Sequence, residues 1–414
     1  MIYIIKLKTL KEVLKMDKKN RKTLATVSFI RRFISVFFNL FFNIYVLKIV
    51  NDFGFVIKVN LISLLFTFIS SILINKFMNN KNVKYIYNSS FILLVVCIGL
   101  LLLLKENIIS YIYLFKFLYA LEEEAYWGPH EMILMGANDH KTFSSFVATM
   151  TILTNIAMIL TPIFSGFIIA TFSYTILFII LIIEAIIVMF TATKISSFYI
   201  DDRKTNVKEF WNKAKNYKHV KDIYKCMFYR RISTQGAIVD LLPIILFLKL
   251  ESELSVGTYN SLFAVLSIIS LSLLKIANKK NLNKKFYVPF AILIFITTLL
   301  LVFIPNYTTI IIYYVCMNTF ATVIETESCS ALFESIKTKE LEKYNREHKI
   351  IYTIYMFVGQ VISYGLTYIL YTKFYNANIL SIIVSILMFF LIISCIYLQK
   401  TQDYFVNKGN DINV

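Results

Sequence analysis

Glycine, proline and cysteine are scarce in this chain: its 414 residues contain ten Gly, five Pro and five Cys. Few positions therefore force a helix to stop, and a collagen-like, low-complexity or turn-rich all-β chain is excluded. Cys97, Cys226, Cys316, Cys329 and Cys395 are scattered, without the spacing of a metal site or a disulfide framework. Charge is scarce too, at 16% of residues, and lopsided, with 43 Lys and Arg against 25 Asp and Glu. What fills the chain is apolar: 58% hydrophobic residues and a mean hydropathy of +0.67. A soluble core cannot bury that share. A run of about 20 apolar residues spans a bilayer as a helix, the form that satisfies its own backbone hydrogen bonds in lipid. The composition predicts an all-α polytopic membrane protein.

Twelve such runs are legible. The first six cover Leu24–Val50, Phe55–Lys76, Tyr85–Leu104, Ile108–Leu134, Phe143–Thr171 and Tyr174–Thr193. The second six cover Met227–Leu250, Gly257–Ile276, Phe286–Ile304, Tyr307–Ile336, Ile350–Tyr371 and Ile379–Leu398. The net charge of +18 sits mainly in alternate breaks: the N-terminal tail, Lys76/Lys81/Lys84, Lys194 to Lys225, Lys279 to Lys285, and Lys337 to Lys349. The break after the fourth run carries only His140 and Lys141. Under the positive-inside rule, both termini and the long central segment are cytoplasmic in a multi-pass plasma-membrane protein. This placement matches an anionic inner leaflet and argues against nucleic acid as the partner. Ile4, Leu7, Leu10 and Leu14 would form the apolar stripe of an interfacial helix, unless translation begins at Met16.

The chain repeats itself after about half its length. Phe29-Ile30-Arg31-Arg32 is matched by Phe228-Tyr229-Arg230-Arg231, and Ile44 to Ile49 by Ile245 to Leu250. Asn79 to Asn82 is matched by Asn278 to Asn281, and His140-Lys141 by His348-Lys349. The matches keep their order and a similar offset. The expected organisation is a basic tail (1–23), a six-helix bundle (24–193), an amphipathic linker (194–226), a second six-helix bundle (227–399) and a tail (400–414). In the linker, Val207, Phe210, Trp211, Ala214, Tyr217 and Tyr224 recur at helical spacing among lysines, predicting a helix lying on the inner leaflet.

This plan resembles the major facilitator superfamily: six plus six helices, a basic central segment and both termini inside. The loop motif G-x-L-x-D-R-x-G-R that the superfamily carries after its second helix corresponds here to Ser71 to Lys81. Leu73 and a basic residue survive, but Asn75 stands at the acidic position. In the fifth span, the antiporter pattern of glycines around a proline is matched by Ala148, Ala157, Thr161, Pro162, Ser165 and Gly166. Small residues there let helices approach closely. The resemblance implies a central cavity lined by the first, fourth, seventh and tenth helices.

Those four spans carry several ionisable groups, which are expensive at bilayer depth. Arg31 and Arg32 lie in the first, Lys116 and Glu122, Glu123 and Glu124 in the fourth, Arg230, Arg231 and Asp240 in the seventh, and Glu325 and Glu327 in the tenth. Consecutive glutamates point about 100° apart, so three cannot share a face. Glu123 and Glu325 are the favoured cavity-facing carboxylates, with Asp240, Glu122, Glu124 and Glu327 as further coupling or substrate candidates. Arg31, Arg32, Lys116, Arg230 and Arg231 are the candidate counter-charges or gates. Static Arg–Glu clamps are the alternative reading of the same residues. Tyr119, Tyr126, Trp127, Tyr313 and Tyr314 read equally as packing or as stacking surfaces. Glu184, in the sixth span, ranks low because the resemblance puts that helix at the periphery.

No enzyme is expected. His130-Glu131 lacks a second histidine at the zinc-site spacing, since Leu134 stands there, and no P-loop, G-x-S-x-G or Cys/His cluster occurs. The expected function is secondary active transport of a small molecule by alternating access, without cofactor or metal, by a monomer. Proton coupling and efflux of a cationic or amphiphilic compound are favoured. Uptake of an anionic metabolite, or a non-transporting receptor or assembly role, are the alternatives.

Overall fold

A computed structural model describes residues 18–79, 81–136, 140–195, 205–279, 286–337, 340–374 and 378–411. The stripe from Ile4 to Leu14 lies outside them. No strand occurs among the described residues. The helices are α1 (Lys18–Leu40), α2 (Phe42–Val50), α3 (Phe53–Phe77), α4 (Val83–Leu104), α5 (Ile112–Gly136), α6 (His140–Thr171), α7 (Tyr174–Ala192) and α8 (Val207–Ala214). They continue as α9 (Lys218–Ile232), α10 (Ile238–Leu250), α11 (Glu253–Lys279), α12 (Tyr287–Phe303), α13 (Tyr307–Cys316), α14 (Thr322–Glu334), α15 (Asn345–Lys373) and α16 (Ile379–Asp411). Taken together, α1 with α2, α9 with α10 and α13 with α14 each make one pass, which gives the twelve expected from the sequence.

Few helix ends carry side-chain caps. Ser173, Asn206 and Asn306 accept from Ile176, Glu209 and Thr309 N–H groups at the starts of α7, α8 and α13. Asn51 and Glu251 end α2 and α10 in the left-handed region, with φ of 53° and 52°. These are equivalent places in the two halves of the repeat, and neither is glycine.

The chain forms two compact units. One comprises residues 1–51, 62–203 and 252–261, the other 52–61, 204–251 and 262–414. The starts of α3 and α11 thus each belong to the unit that holds the opposite half. In the first unit α1 packs on α6 and α7, and α4 on α5 and α7. In the second, α9 packs on α15 and α16, and α12 on α13 and α16. The pairing scheme is the same, so the repeat in the sequence is a repeat in the packing. Leu24, Val27, Tyr87, Phe91, Tyr126 and Val188 form a core of the first unit.

The seventh pass differs from the continuous span expected over Met227–Leu250. It starts at Lys218, so Lys218–Cys226 are helix rather than linker, and it breaks at 233–237. Ser363 on α15 repairs the break, donating to the Ile232 carbonyl at 2.8 Å and accepting from the Ala237 N–H at 2.9 Å. Such substitution is what lets an apolar bundle tolerate broken backbone hydrogen bonds. Gly236 is required there, because a Cβ would fall 2.3 Å from both the Arg231 carbonyl and Ser363 Oγ. The tenth pass carries a π-turn at Met317–Ala321, an irregularity common at functional positions.

The linker helix also departs from expectation. Phe210 and Ala214 are fully buried, and the Phe210 ring lies 5.7 Å from Tyr344 and 6.1 Å from His348. Trp211 stacks on Tyr224. The apolar face of α8 is thus spent on the second unit, not on headgroups. Lys213 reinforces the dock, 2.9 Å from both Glu209 and the Tyr344 hydroxyl. The Tyr344 hydroxyl also donates to Glu209. Tyr344 and Lys213 hold the exposed Glu209 carboxyl below its usual range.

Candidate functional site

In the first unit, α1 and α5 bring three ionisable side chains together at mid-helix. Arg31 Nη2 donates to Glu122 Oε2 at 2.7 Å and to Glu123 Oε1 at 2.5 Å, and Nη1 donates to Ser35 Oγ at 2.7 Å. The guanidinium carbon lies 5.4 Å from the centre of the Tyr126 ring. Arg31 is 2% exposed and Glu122 0%, while Glu123 keeps 28% of its surface. The two carboxylates are therefore unlike: one is sealed, the other accessible. Arg31 Nε and Glu122 Oε1 are buried with no hydrogen-bond partner among the described residues. One arginine serves two carboxylates, so the triad has one excess negative charge when both are ionised.

Glu123 sits between aromatics. Tyr119 and Trp127, one turn before and after it on the same face of α5, donate to its Oε1 and Oε2, both at 3.2 Å. Tyr119 packs on Phe38, ring centres 4.3 Å apart. An accessible carboxylate with aromatic side chains on either side is chemistry that attracts an organic cation.

The second unit answers with a different arrangement. Arg230 reaches the backbone carbonyl of Glu325 at 3.0 Å, the Cys329 sulfur at 3.7 Å and Gln235 Oε1 at 3.1 Å. The Gln235 amide then donates to the Glu325 carboxylate. An amide is interposed where the first unit has a direct ion pair, and Gln235 comes from the broken segment of the seventh pass.

Other expected site residues are distributed around these two centres. Arg32 and Arg231 occupy equivalent places, donating to Met158 Sδ at 3.0 Å and Met356 Sδ at 3.3 Å. Asp240 accepts from the Tyr364 hydroxyl in the first turn of α10. Glu327 accepts from Tyr287 at 3.0 Å and from Gln402 at 3.4 Å, on another face from Glu325. Glu124 is half-buried and adjoins the triad in sequence. Arg31 or Arg32, with Lys116, were the expected counter-charges; Arg31 pairs with Glu123, and the Lys116 ammonium lies 4.6 Å from the Phe42 ring centre.

The small-residue stripe of α6 is buried at Ala157, Thr161, Pro162, Ser165 and Gly166. The side chain of Ala148 lies outside those described. A Cβ on Gly166 would meet the Glu253 carbonyl at 2.5 Å, and one on Gly257 the Pro162 carbonyl at 2.1 Å. Close approach of α6 to the start of α11 is thus what these small residues provide. Beside that crossing, Lys48 Nζ lies 2.6 Å from Glu253 Oε1, to which the Tyr174 hydroxyl donates at 3.3 Å.

Sequence reasoning did not find Gln235, Ser363, Tyr364 or the Lys48–Glu253 pair. The spacing of four from Glu123 marks Tyr119 and Trp127, and Ser233-Thr234-Gln235-Gly236 marks the break that frees Gln235.

The Major Facilitator Superfamily model matches residues 24–328, and the chain belongs to that superfamily. No curated protein sequence matches it. Solved structures that share its fold include three bacterial transporters. One is a bacterial homologue of the human lysosomal transporter Spinster, inward-facing and unoccupied, with TM-score 0.66 and 12% identity over 94% of this chain and 98% of that one. A second is a bacterial homologue of the iron transporter ferroportin, inward-facing, with TM-score 0.62 and 11% identity over 92% and 98%. The third is a bacterial metal transporter, with TM-score 0.60 and 12% identity over 94% and 99%. The chain is a multi-pass membrane protein and a secondary transporter, not an enzyme.

Proposed function

From superfamily membership as the premise, we propose that the chain exchanges protons for an organic cation or cationic amphiphile, exporting it across the plasma membrane with both termini in the cytoplasm. The supporting observation is one arginine shared between a sealed carboxylate and an accessible, aromatic-flanked one. Arg31 balances one negative charge. The other is balanced by one proton or by one cation, and carrying both would leave a buried positive charge, which is costly.

The roles divide by burial. Glu122, with an unpartnered buried oxygen, takes the proton; Arg31 then pairs with Glu123 alone and displaces the cation. When Glu122 loses its proton, Arg31 turns to it and frees Glu123 for the next cation. Tyr119 and Trp127 supply aromatic faces and hold the Glu123 carboxylate in place. Alternate exposure of the site to the two sides converts this exchange into transport. Glu325, Asp240, Glu124 and Glu327 remain further coupling candidates, with Arg32, Lys116, Arg230 and Arg231 as counter-charges or gates.

Proteoliposomes loaded with tetraphenylphosphonium and given a pH gradient test the reading. The wild type is expected to move the probe against its gradient. Glu122→Gln should abolish proton-driven movement, and Glu123→Gln should abolish probe binding. Driven movement that survives both substitutions would contradict the assignment.

A second reading has its own observation. Arg231 is half-buried, with Met356 as its hydrogen-bond partner and no ion pair among the described residues. That arrangement suits an anionic substrate. Loss of anion uptake in Arg231→Gln, with no effect of Glu123→Gln, would favour it.

A further inference from the structure

The second unit holds a cavity that the proton–cation exchange does not use. It lies where α10 and α12 end and α13 and α16 begin, at the far end of α10 from Arg230, and encloses about 250 Å³. Ile245, Leu301 and Val384 give it an apolar wall, and Lys249, Asn378 and Ser381 are among its polar members. Lys249 is exposed and has no acidic partner among the described residues. The nearest acidic residue in sequence, Glu251, is not part of the wall. Tyr313, also in the wall, is fully buried, and its hydroxyl has no hydrogen-bond partner among the described residues.

An apolar pocket with a few polar groups is the usual form of a small-molecule site, and such sites run from about 300 Å³ upward. This one is slightly smaller and takes a single alkyl chain rather than a ring system. A lone ammonium at an apolar mouth selects for an anionic head, because a charge-assisted contact to carboxylate or phosphate is roughly twice as strong as a neutral one. We infer that this cavity binds an amphiphile with an anionic head, the chain among Ile245, Leu301 and Val384 and the head on Lys249. Two sources share that chemistry: a free alkyl carboxylate and an anionic phospholipid of the surrounding bilayer. The site is separate from the Arg31 triad and does not depend on the direction or coupling of transport.

The test uses the full-length protein in nanodiscs. In one arm the lipid is zwitterionic and a diazirine analogue of decanoate is added; in the other, diazirine-bearing phosphatidylglycerol replaces part of the lipid. The uncharged decanol analogue is the control. Crosslinks are expected in the peptides holding Leu242–Lys249 and Leu380–Val384, about tenfold stronger for the anionic probe than for decanol. Lys249→Gln, at an exposed position that leaves folding intact, should remove that preference, and Ser381→Trp should block labelling by filling the cavity. Labelling in the first arm alone assigns the free carboxylate, and in the second alone the phospholipid. No labelling of these peptides in either arm, equal labelling by decanol, or a preference unchanged in Lys249→Gln would overturn the inference.

Discussion

The two halves of this chain place an arginine pair on the first helix of each bundle and a glutamate on the fourth, yet join them differently. In the first unit Arg31 touches both Glu122 and Glu123 directly. In the second, Arg230 reaches a backbone carbonyl, and Gln235 stands between it and the Glu325 carboxylate. A shared packing scheme therefore does not impose a shared chemistry. The first centre can trade one charge for another, because its arginine is oversubscribed. The second joins Arg230 to the Glu325 carboxylate through a neutral amide and can stay fixed while the first exchanges.

The largest effect expected from this contrast is on folding. Arg31→Met leaves two carboxylates without their cation in a buried place and should cost about 3–5 kcal/mol. Arg230→Met removes contacts to a carbonyl, a thiol and an amide, and should cost about 1–3 kcal/mol. Thermal unfolding in detergent checks the order, and equal losses would erase the distinction between the centres.

Next comes the close packing that small residues allow. Gly257→Val forces a side chain onto the Pro162 carbonyl, and Gly236→Ala forces one onto the Arg231 carbonyl and Ser363. Each should destabilise by about 1–3 kcal/mol. Gly365→Ala meets no atom within 4 Å and should be neutral or stabilising, by up to about 1 kcal/mol as expected for alanine in a helix. Unfolding midpoints of the three variants provide the check, and a loss at Gly365 as large as the others would show that helix propensity, not contact, governs these positions.

A smaller effect separates the linker from both bundles. The Glu209 carboxyl lies below its ordinary value of about 4.5 because Tyr344 and Lys213 stabilise its ionised form. Its contribution to docking α8 is therefore present above that pH and lost as the pH falls through the lowered value. Hydrogen exchange in α8, taken relative to the intrinsic amide rate at each pH, should rise at acid pH in the wild type. In Glu209→Gln it should already be elevated at neutral pH and change less on acidification. Identical exchange in the two proteins would remove this residue from the dock.

The sequence made these contrasts only partly legible. Apolar run length and alternating basic breaks are strong signals, because bilayer thickness and backbone hydrogen bonding leave helices little freedom, and the twelve passes follow from them. Arg31 and the Glu122–Glu124 group were legible as partners because opposite charges stood at equal depth on helices the family resemblance placed together. That one arginine serves both Glu122 and Glu123 while Lys116 lies against Phe42 was not legible, since the rotation of α1 and α5 about their axes decides the pairing. Gln235 was hidden because its reach depends on a backbone break, whose repair comes from Ser363 on a distant helix. The α8 face misled for a related reason: the same pattern of Phe210 and Trp211 suits headgroups or a protein surface, and periodicity does not distinguish them.

The most direct test of the exchange account is the number of protons released when the cation binds. Calorimetric titration of tetraphenylphosphonium into the purified protein, in buffers of different ionisation enthalpy, measures it. At a pH where Glu122 is protonated, the account predicts close to one proton released per cation bound in the wild type. It predicts none in Glu122→Gln, whose affinity should not change with pH. Cation binding of full affinity with no proton release in the wild type would contradict it.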